Sequence, residues 1–157
     1  MTTLDEQDVG RALDRLEPFV GEWEIEAVFP QGSPAGVDQV RGHATFEWIL
    51  GRAFLVQRST APDPVPDGFC IVGVDPERDG FTQHYFDSRN VARLYAMTLD
   101  GARWTLTRES PDFTPLEFSQ RFTGAFEDDG TVIRGQWEIR HPGADWAHDF
   151  ELIYSRA

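Results

Sequence analysis

The chain has 157 residues, of which 40% are hydrophobic and 26% charged, a size and balance that predict one globular domain over residues 1–157. The formal net charge is −13 and all 14 basic residues are arginine, which excludes nucleic acids and acidic membrane surfaces as general partners because both are anionic. No apolar run approaches the roughly 20 residues that cross a bilayer, and residues 1–10 lack the apolar segment of a secretory signal, so we expect a cytoplasmic protein.

The first 18 residues predict a short amphipathic helix. Thr3 is the candidate N-cap, and Glu6, three residues later, is its candidate capping-box partner. One face carries apolar residues at helical spacing, namely Val9, Leu13 and Leu16. Pro18 then ends the helix or forces a turn, because a proline disfavours helical backbone angles at the residue before it.

From Trp23 onward the pattern changes to a period of two, which is typical of strands with one buried face. Asp-Gly pairs between later segments favour tight hairpins, and the proline-rich stretch 61–67 favours a longer loop. The predicted strands are Trp23–Phe29, Arg41–Trp48, Ala53–Ser59, Phe69–Val74, Phe81–Asp87, Val91–Leu99, Arg103–Glu109, Glu117–Phe126, Val132–His141 and Trp146–Ser155.

Ten consecutive hairpin-linked strands either split into two sheets or close into a barrel. Closure removes the exposed edges, and barrels of this size commonly enclose one small ligand. The 12 phenylalanines and 5 tryptophans supply large inward side chains. We therefore predict an all-β fold, an antiparallel up-and-down β-barrel of about ten strands with a short N-terminal helix.

The two ends of this predicted barrel carry a resemblance to a known superfamily. Gly21-Glu22-Trp23 resembles the Gly-x-Trp entry of calycins, which include lipocalins and fatty-acid-binding proteins. In calycins this tryptophan packs against a basic residue at the end of the last strand, so the resemblance implies closure by Trp23 and Arg156. A desolvated guanidinium on an indole face contributes about 1 kcal/mol or more.

A fuller pattern, spread over nearly the whole chain, resembles a bacterial family of calycin-like barrels of unknown function. That resemblance implies the fold and supplies no activity. The stretches that carry it are Gly21-Glu22-Trp23, Phe46-Glu47-Trp48, Phe86-Asp87-Ser88-Arg89, Gln120-Arg121-Phe122, Gly135-Gln136-Trp137-Glu138, Asp149-Phe150 and Tyr154-Ser155-Arg156. A more distant resemblance, to the haem-binding nitrobindins, implies a haem ligand on a late strand, where this chain has His148.

Alternation along the strands indicates which side chains line the interior. Arg93 and Tyr95 share a face about 7 Å apart, a spacing similar to the carboxylate clasp of fatty-acid-binding proteins. Arg108 is expected to join them, paired with an anionic ligand or with an internal carboxylate such as Asp87. The candidate ligand-binding residues are Trp48, Gln83, Tyr85, Arg93, Tyr95, Arg108, Gln120, Trp137 and His148. On the Gln83–Tyr85 strand, the opposite parity, with His84 and Phe86 inward, stays open.

The leading interpretation is a binding protein that holds a small hydrophobic or amphipathic molecule inside the barrel. One alternative is a cyclase or isomerase in which groups such as Tyr85, Asp87 and His148 move a proton. Another is haem ligation by His148. No other cofactor and no metal site is predicted, since the histidines are scattered and Cys70 is the single cysteine. The expected assembly is a monomer or a homodimer.

Overall fold

The computed structural model of the chain describes residues 4–77 and 79–157. The predicted cap, Thr3, lies outside the described residues. Helix α1 (Glu6–Asp14) is capped instead by Asp5, whose carboxylate accepts a hydrogen bond of 2.8 Å from the backbone N–H of Asp8. Aspartate caps as well as a hydroxyl does, because its side chain satisfies a free N–H of the first turn. A 3₁₀ turn, Glu17–Phe19, follows and contains Pro18.

Ten antiparallel strands form one closed barrel in which each strand pairs with its neighbours in sequence and the first pairs with the last. This confirms the predicted fold. The strands are β1 (Gly21–Val28), β2 (Gln39–Ile49), β3 (Phe54–Thr60), β4 (Gly68–Val74), β5 (Phe81–Asp87), β6 (Val91–Asp100), β7 (Arg103–Arg108), β8 (Ser119–Glu127), β9 (Val132–Arg140) and β10 (Ala147–Arg156). Within the described ranges, no helix is long and apolar enough to cross a membrane.

Trp23 of β1 and Arg156 of β10 meet where the barrel closes. They are register partners, and the Arg156 guanidinium lies 4.0 Å above the indole ring. The same guanidinium donates hydrogen bonds to the carbonyls of Val20, at 2.5 Å, and Pro18. Gly21 has a φ of +127°, and a Cβ there would overlap a guanidinium nitrogen of Arg156. The first residue of the Gly-x-Trp motif is therefore a glycine for both backbone and steric reasons.

The barrel is packed solidly at the end that the helix covers. Leu16 and Phe19 plug this end and are fully buried. The Phe19 ring centroid lies 5.2 Å from that of Phe46 and 4.9 Å from that of Trp104. The Phe19–Phe46 rings are tilted by 30° and the Phe19–Trp104 rings meet edge to face, so aromatic side chains pack closely in this half of the barrel. The opposite half remains hollow.

Phe122 occupies space that two glycines leave free. Gly124 of β8 and Gly135 of β9 are register partners, and the Phe122 ring lies against both. A Cβ at Gly135 would overlap ring carbons of Phe122 and lie 3.0 Å from the carbonyl oxygen of Thr123. The absence of side chains at this pair therefore fixes where the ring packs.

Replacing Gly135 by alanine is expected to lower the free energy of unfolding by about 1–3 kcal/mol, because the Phe122 ring must move out of a packed position. Equilibrium urea unfolding measures this change. Gly10→Ala is the matched control: an added Cβ there meets no atom within 4 Å, so in a helix it should stabilise by about 0.5–1 kcal/mol. A Gly135→Ala protein as stable as the wild type would contradict the close packing.

Candidate functional site

The hollow half of the barrel encloses a cavity of about 480 Å³, within the range of small-molecule sites. Loops between strands form its mouth and contribute Pro34, Ala35 and residues 64–66. Its floor is the aromatic core. The apolar and aromatic wall residues include Ile25, Val40, Tyr95, Trp104, Leu106, Phe118, Phe122, Trp137, Phe150 and Leu152.

One wall of the cavity carries a linked polar group of three residues. The Tyr95 hydroxyl donates a hydrogen bond of 2.8 Å to Oε1 of Gln120, and Nη1 of Arg93 donates one of 3.3 Å to the same oxygen. Tyr95 and Gln120 are buried, and all three residues line the cavity. The structure thus brings together three of the residues predicted from alternation.

Arg93 has unused hydrogen-bonding capacity. Within the described part of the chain, no carboxylate forms an ion pair with it, and its polar side-chain neighbours are Gln120, at 3.3 Å, and the Tyr95 hydroxyl. Its guanidinium also lies 5.4 Å from the ring centroid of Phe118. A half-buried cation without a counter-charge is unfavourable unless a ligand or solvent supplies one.

Gln83 adds a second free polar group to the same wall. It lines the cavity, its residue is only 4% exposed, and its register partner on β6 is Tyr95. None of the described residues hydrogen-bonds its side-chain amide. The parity left open for β5 is therefore resolved, with Gln83 and Tyr85 inward and His84 on the outer face, where its ring lies 6.0 Å from that of Phe113.

Tyr85 and Asp87 form a closed cluster with Arg89 at the mouth. The Tyr85 hydroxyl donates a hydrogen bond of 2.6 Å to Asp87, and Arg89 donates one of 2.6 Å to the same carboxylate. Burial alone favours a higher pKa for Asp87, but the hydrogen bonds from Arg89 and Tyr85 outweigh it and hold the pKa below its ordinary value. Burial, reinforced by the adjacent carboxylate, raises the pKa of Tyr85. The Asp87 carboxylate is thus already hydrogen-bonded to side chains of the protein itself.

Arg108 faces inward but does not line the cavity, because it is paired within the protein. Its guanidinium donates two hydrogen bonds, of 2.8 and 2.9 Å, to the Asp112 carboxylate, and both side chains are almost fully buried. Asp112 also accepts from the backbone N–H groups of Leu94, at 2.7 Å, and Thr114, at 3.0 Å. The internal carboxylate that pairs with Arg108 is thus Asp112, which sequence reasoning missed, rather than Asp87.

Other strands around the cavity contribute a polar pair and a thiol, with Gln57 on β3, Cys70 on β4 and Tyr154 on β10. Nε2 of Gln57 donates a hydrogen bond of 3.1 Å to the hydroxyl of Tyr154. Cys70 lines the cavity beside Gln57, its register partner. Burial raises the pKa of Cys70 to about 12, and it also raises the pKa of Tyr154. Both groups are protonated at neutral pH.

The two tryptophans predicted as cavity walls occupy different heights in the barrel. Trp137 lines the cavity, with its ring centroid 5.5 Å from that of Tyr95. Trp48 lies at the closed end, where its Nε1 donates a hydrogen bond of 3.0 Å to Glu17 and Arg52 stacks on its ring at 4.6 Å. Alternation predicted that Trp48 lies on the inward face of its strand, but it did not predict that this residue lies below the cavity.

His148 lies on the outer face of the barrel, contrary to the predicted alternation. The register of β10 against β9 shifts between His148 and Phe150, which is a β-bulge, so Asp149 replaces His148 at the cavity. Such a bulge inserts one residue and reverses the faces of the residues before it. Trp146 is also outside, stacked between the guanidinium groups of Arg121 at 4.3 Å and Arg140 at 4.8 Å.

The residues present do not fit the haem ligation suggested for His148. Its side chain is exposed, and none of the described residues that line the cavity is a histidine. Over residues 4–77 and 79–157, no three His, Cys, Asp or Glu side chains converge as metal ligands would. Among the described residues, the cavity lining therefore offers an aromatic wall and free polar groups without a histidine ligand.

Comparison with known proteins gives a family and a fold. A family model described as a protein of unknown function (DUF1579) matches residues 10–156. The crystal structure of Rv2717c from M. tuberculosis is similar to this chain with a TM-score of 0.65 and 16% identity, covering 96% of this chain and 99% of that one. At this identity the likeness shows the fold alone. No curated protein matches the chain.

Proposed function

We propose that this chain, which belongs to the family of proteins of unknown function DUF1579, binds a small amphipathic carboxylic acid in its barrel cavity. The observation that carries the proposal is Arg93, a guanidinium that lines an otherwise mostly apolar cavity and has no carboxylate partner among the described residues. A ligand carboxylate supplies the missing counter-charge and accepts charge-assisted hydrogen bonds.

The neighbours of Arg93 suit a carboxylate better than a neutral polar group. Gln83 lies on β5, the strand next to that of Arg93, and offers a free amide N–H. Gln83 pairs with Tyr95 and Arg93 pairs with Tyr85, so Gln83 and Arg93 are diagonal neighbours, and Gln83 lies deeper in the barrel. Diagonal neighbours of this kind lie about 7–8 Å apart at the backbone, so one carboxylate group can contact both side chains. The apolar remainder of the ligand would then lie against Phe122 and Trp137.

The groups suggested for proton transfer are engaged within the protein, protonated or outside the cavity, which favours binding over catalysis. Asp87 is occupied by Arg89 and Tyr85, and His148 lies outside the cavity. The raised pKa values of Tyr85 and Cys70, both caused first by burial, keep these groups protonated at neutral pH. A protonated phenol or thiol donates a hydrogen bond and does not act as a base.

The ends of the barrel also support a place among calycin-like proteins. The Gly21-x-Trp23 entry, the closing Arg156 and the antiparallel closed barrel occur together here. A ligand inside the barrel is the usual use of such a fold, and in this chain the cavity has the matching volume and lining.

Replacing Arg93 by glutamine is expected to weaken binding of decanoate by at least about tenfold, because a hydrogen bond to a charged group contributes about 1.5–3 kcal/mol. Binding of decanol, which has the same chain length and no charge, should change by less than about twofold, since its contacts are apolar. Isothermal titration calorimetry of wild type and variant with both compounds measures the two effects.

Arg103→Gln is the matched control, because Arg103 is exposed on β7 and lies outside the cavity. It should leave both affinities unchanged. The proposal is wrong if the wild type binds neither compound, or if Arg93→Gln weakens decanoate and decanol equally.

A further inference from the structure

Asp149 is a carboxylate at the cavity that no hydrogen bond within the described chain satisfies. It lines the cavity and is partly buried, and burial raises its pKa more than the neighbouring His148 and His141 lower it. A carboxylate that is partly withdrawn from water without a hydrogen-bond donor is less favourable than one in solvent. The fold therefore accepts an energetic penalty at this position.

The penalty arises from a specific backbone feature, the bulge between His148 and Phe150. In a regular β10, Asp149 would point to solvent and His148 to the interior. Bulges are frequent beside binding sites because they redirect one side chain. Here the redirected residue is the acid Asp149. On the outer face of the same segment, Trp146 stacks between two arginines.

Asp149 and Arg93 lie on nearly opposite walls. Their strands, β10 and β6, are four steps apart around the barrel in one direction and six in the other. Ten strands about 4.8 Å apart and tilted by about 40° make a barrel about 20 Å across, and inward side chains reduce the gap between the two charges to about 10 Å. One small molecule can span that gap.

We propose that the natural ligand is amphoteric, with a protonated amine that binds Asp149 and a carboxylate that binds Arg93 across the cavity. The inference rests on the proposed function and adds the second end of the ligand. An amine supplies the hydrogen-bond donor that Asp149 lacks among the described residues, and it places a positive charge on the cavity side of β10. A ligand with both charges also has no net charge to be repelled by a chain whose own net charge is −13.

The experiment compares octanoic acid with ω-aminooctanoic acid, which has the same chain length and separates its charges by about 10 Å. Calorimetry with wild type and Asp149→Asn measures both affinities. Asp149→Asn is expected to weaken ω-aminooctanoic acid by at least about tenfold, the loss of one charged contact, and to leave octanoic acid equal or tighter. The shorter ω-aminobutanoic acid cannot reach both charges, so its affinity should respond weakly to the variant.

Glu151→Gln, an exposed position on the same strand, is the control and should change no affinity. Thermal unfolding without ligand adds an independent measurement: Asp149→Asn should be as stable as wild type or more stable, since it removes an unsatisfied carboxylate. The inference is overturned if Asp149→Asn changes both eight-carbon acids by the same factor, or if it destabilises the free protein. If either of these results is found and octanoic acid still binds through Arg93, only the amphoteric ligand is ruled out and the proposed function stands. If neither acid binds the wild type, both proposals are wrong.

Discussion

Replacing Asp112 by alanine is expected to lower the free energy of unfolding by about 3–5 kcal/mol, a large share of the stability of a domain of this size. The change leaves the buried Arg108 guanidinium without its counter-charge, and it leaves the N–H groups of Leu94 and Thr114 without an acceptor. Equilibrium unfolding in guanidinium chloride measures the loss.

Replacing both charged partners separates the value of the pair from the penalty of an orphaned charge. Arg108→Met combined with Asp112→Leu should lose clearly less than Asp112→Ala alone, because no unpaired buried charge remains. Some loss should persist, since Leu94 and Thr114 still lack an acceptor. A single variant that loses less than about 1 kcal/mol would show that water or another group replaces Asp112.

The same pair makes stability depend on acidity. Hydrogen bonds from the Arg108 guanidinium hold the pKa of Asp112 far below its ordinary value of 3.8. A carboxyl group whose pKa is depressed by folding stabilises fully above its unfolded pKa, and that contribution is lost as the pH falls toward the folded value. The stability difference between wild type and Asp112→Asn should thus be constant near neutral pH and shrink below about pH 3.8.

Replacing Arg156 by alanine is expected to lower the free energy of unfolding by about 3 kcal/mol. The loss combines a cation–π contact of about 1–2 kcal/mol with hydrogen bonds from a charged donor. Those bonds tie the end of β10 to the carbonyls of Val20 and Pro18, just before β1 begins. Urea unfolding of the variant beside wild type gives the value.

Two further variants test whether the geometry of the guanidinium matters. Arg156→Lys keeps the charge and loses the planar fork, so it should recover only part of the loss. Arg134→Ala removes an exposed arginine of β9 paired with Glu127 and should cost less than about 1 kcal/mol. Full recovery by lysine would mean that charge alone closes the barrel.

Alternation along the chain was sufficient to predict the barrel, because ten segments with period two and tight turns leave few other arrangements. It also placed Arg93, Tyr95 and Gln120 on one wall. Alternation says which face a side chain occupies but not its height along the barrel. Trp48 shares the inward face and yet lies at the closed end, beside Glu17.

Two site residues were beyond sequence reasoning for definite physical reasons. The bulge in β10 adds one residue to the strand, and no turn residue or glycine marks it, so the exchange of His148 for Asp149 is invisible in the pattern. Asp112 lies in the β7–β8 loop, and it meets Leu94 only because β7 ends at Arg108 and leaves that part of β6 unpaired. Loop carboxylates carry no periodic signal.

Because one half of the barrel is packed and the other is hollow, the fraction of protein that is folded depends, under the proposed function, on the concentration of ligand. Side chains around an empty cavity forgo the dispersion contacts that a filled interior provides, and under the proposed function the ligand supplies them. A ligand at 100 times its dissociation constant adds about 2.7 kcal/mol to the stability of the folded state. In a cell, where proteases remove unfolded chains, the steady-state abundance of this protein would then rise and fall with the concentration of the proposed ligand.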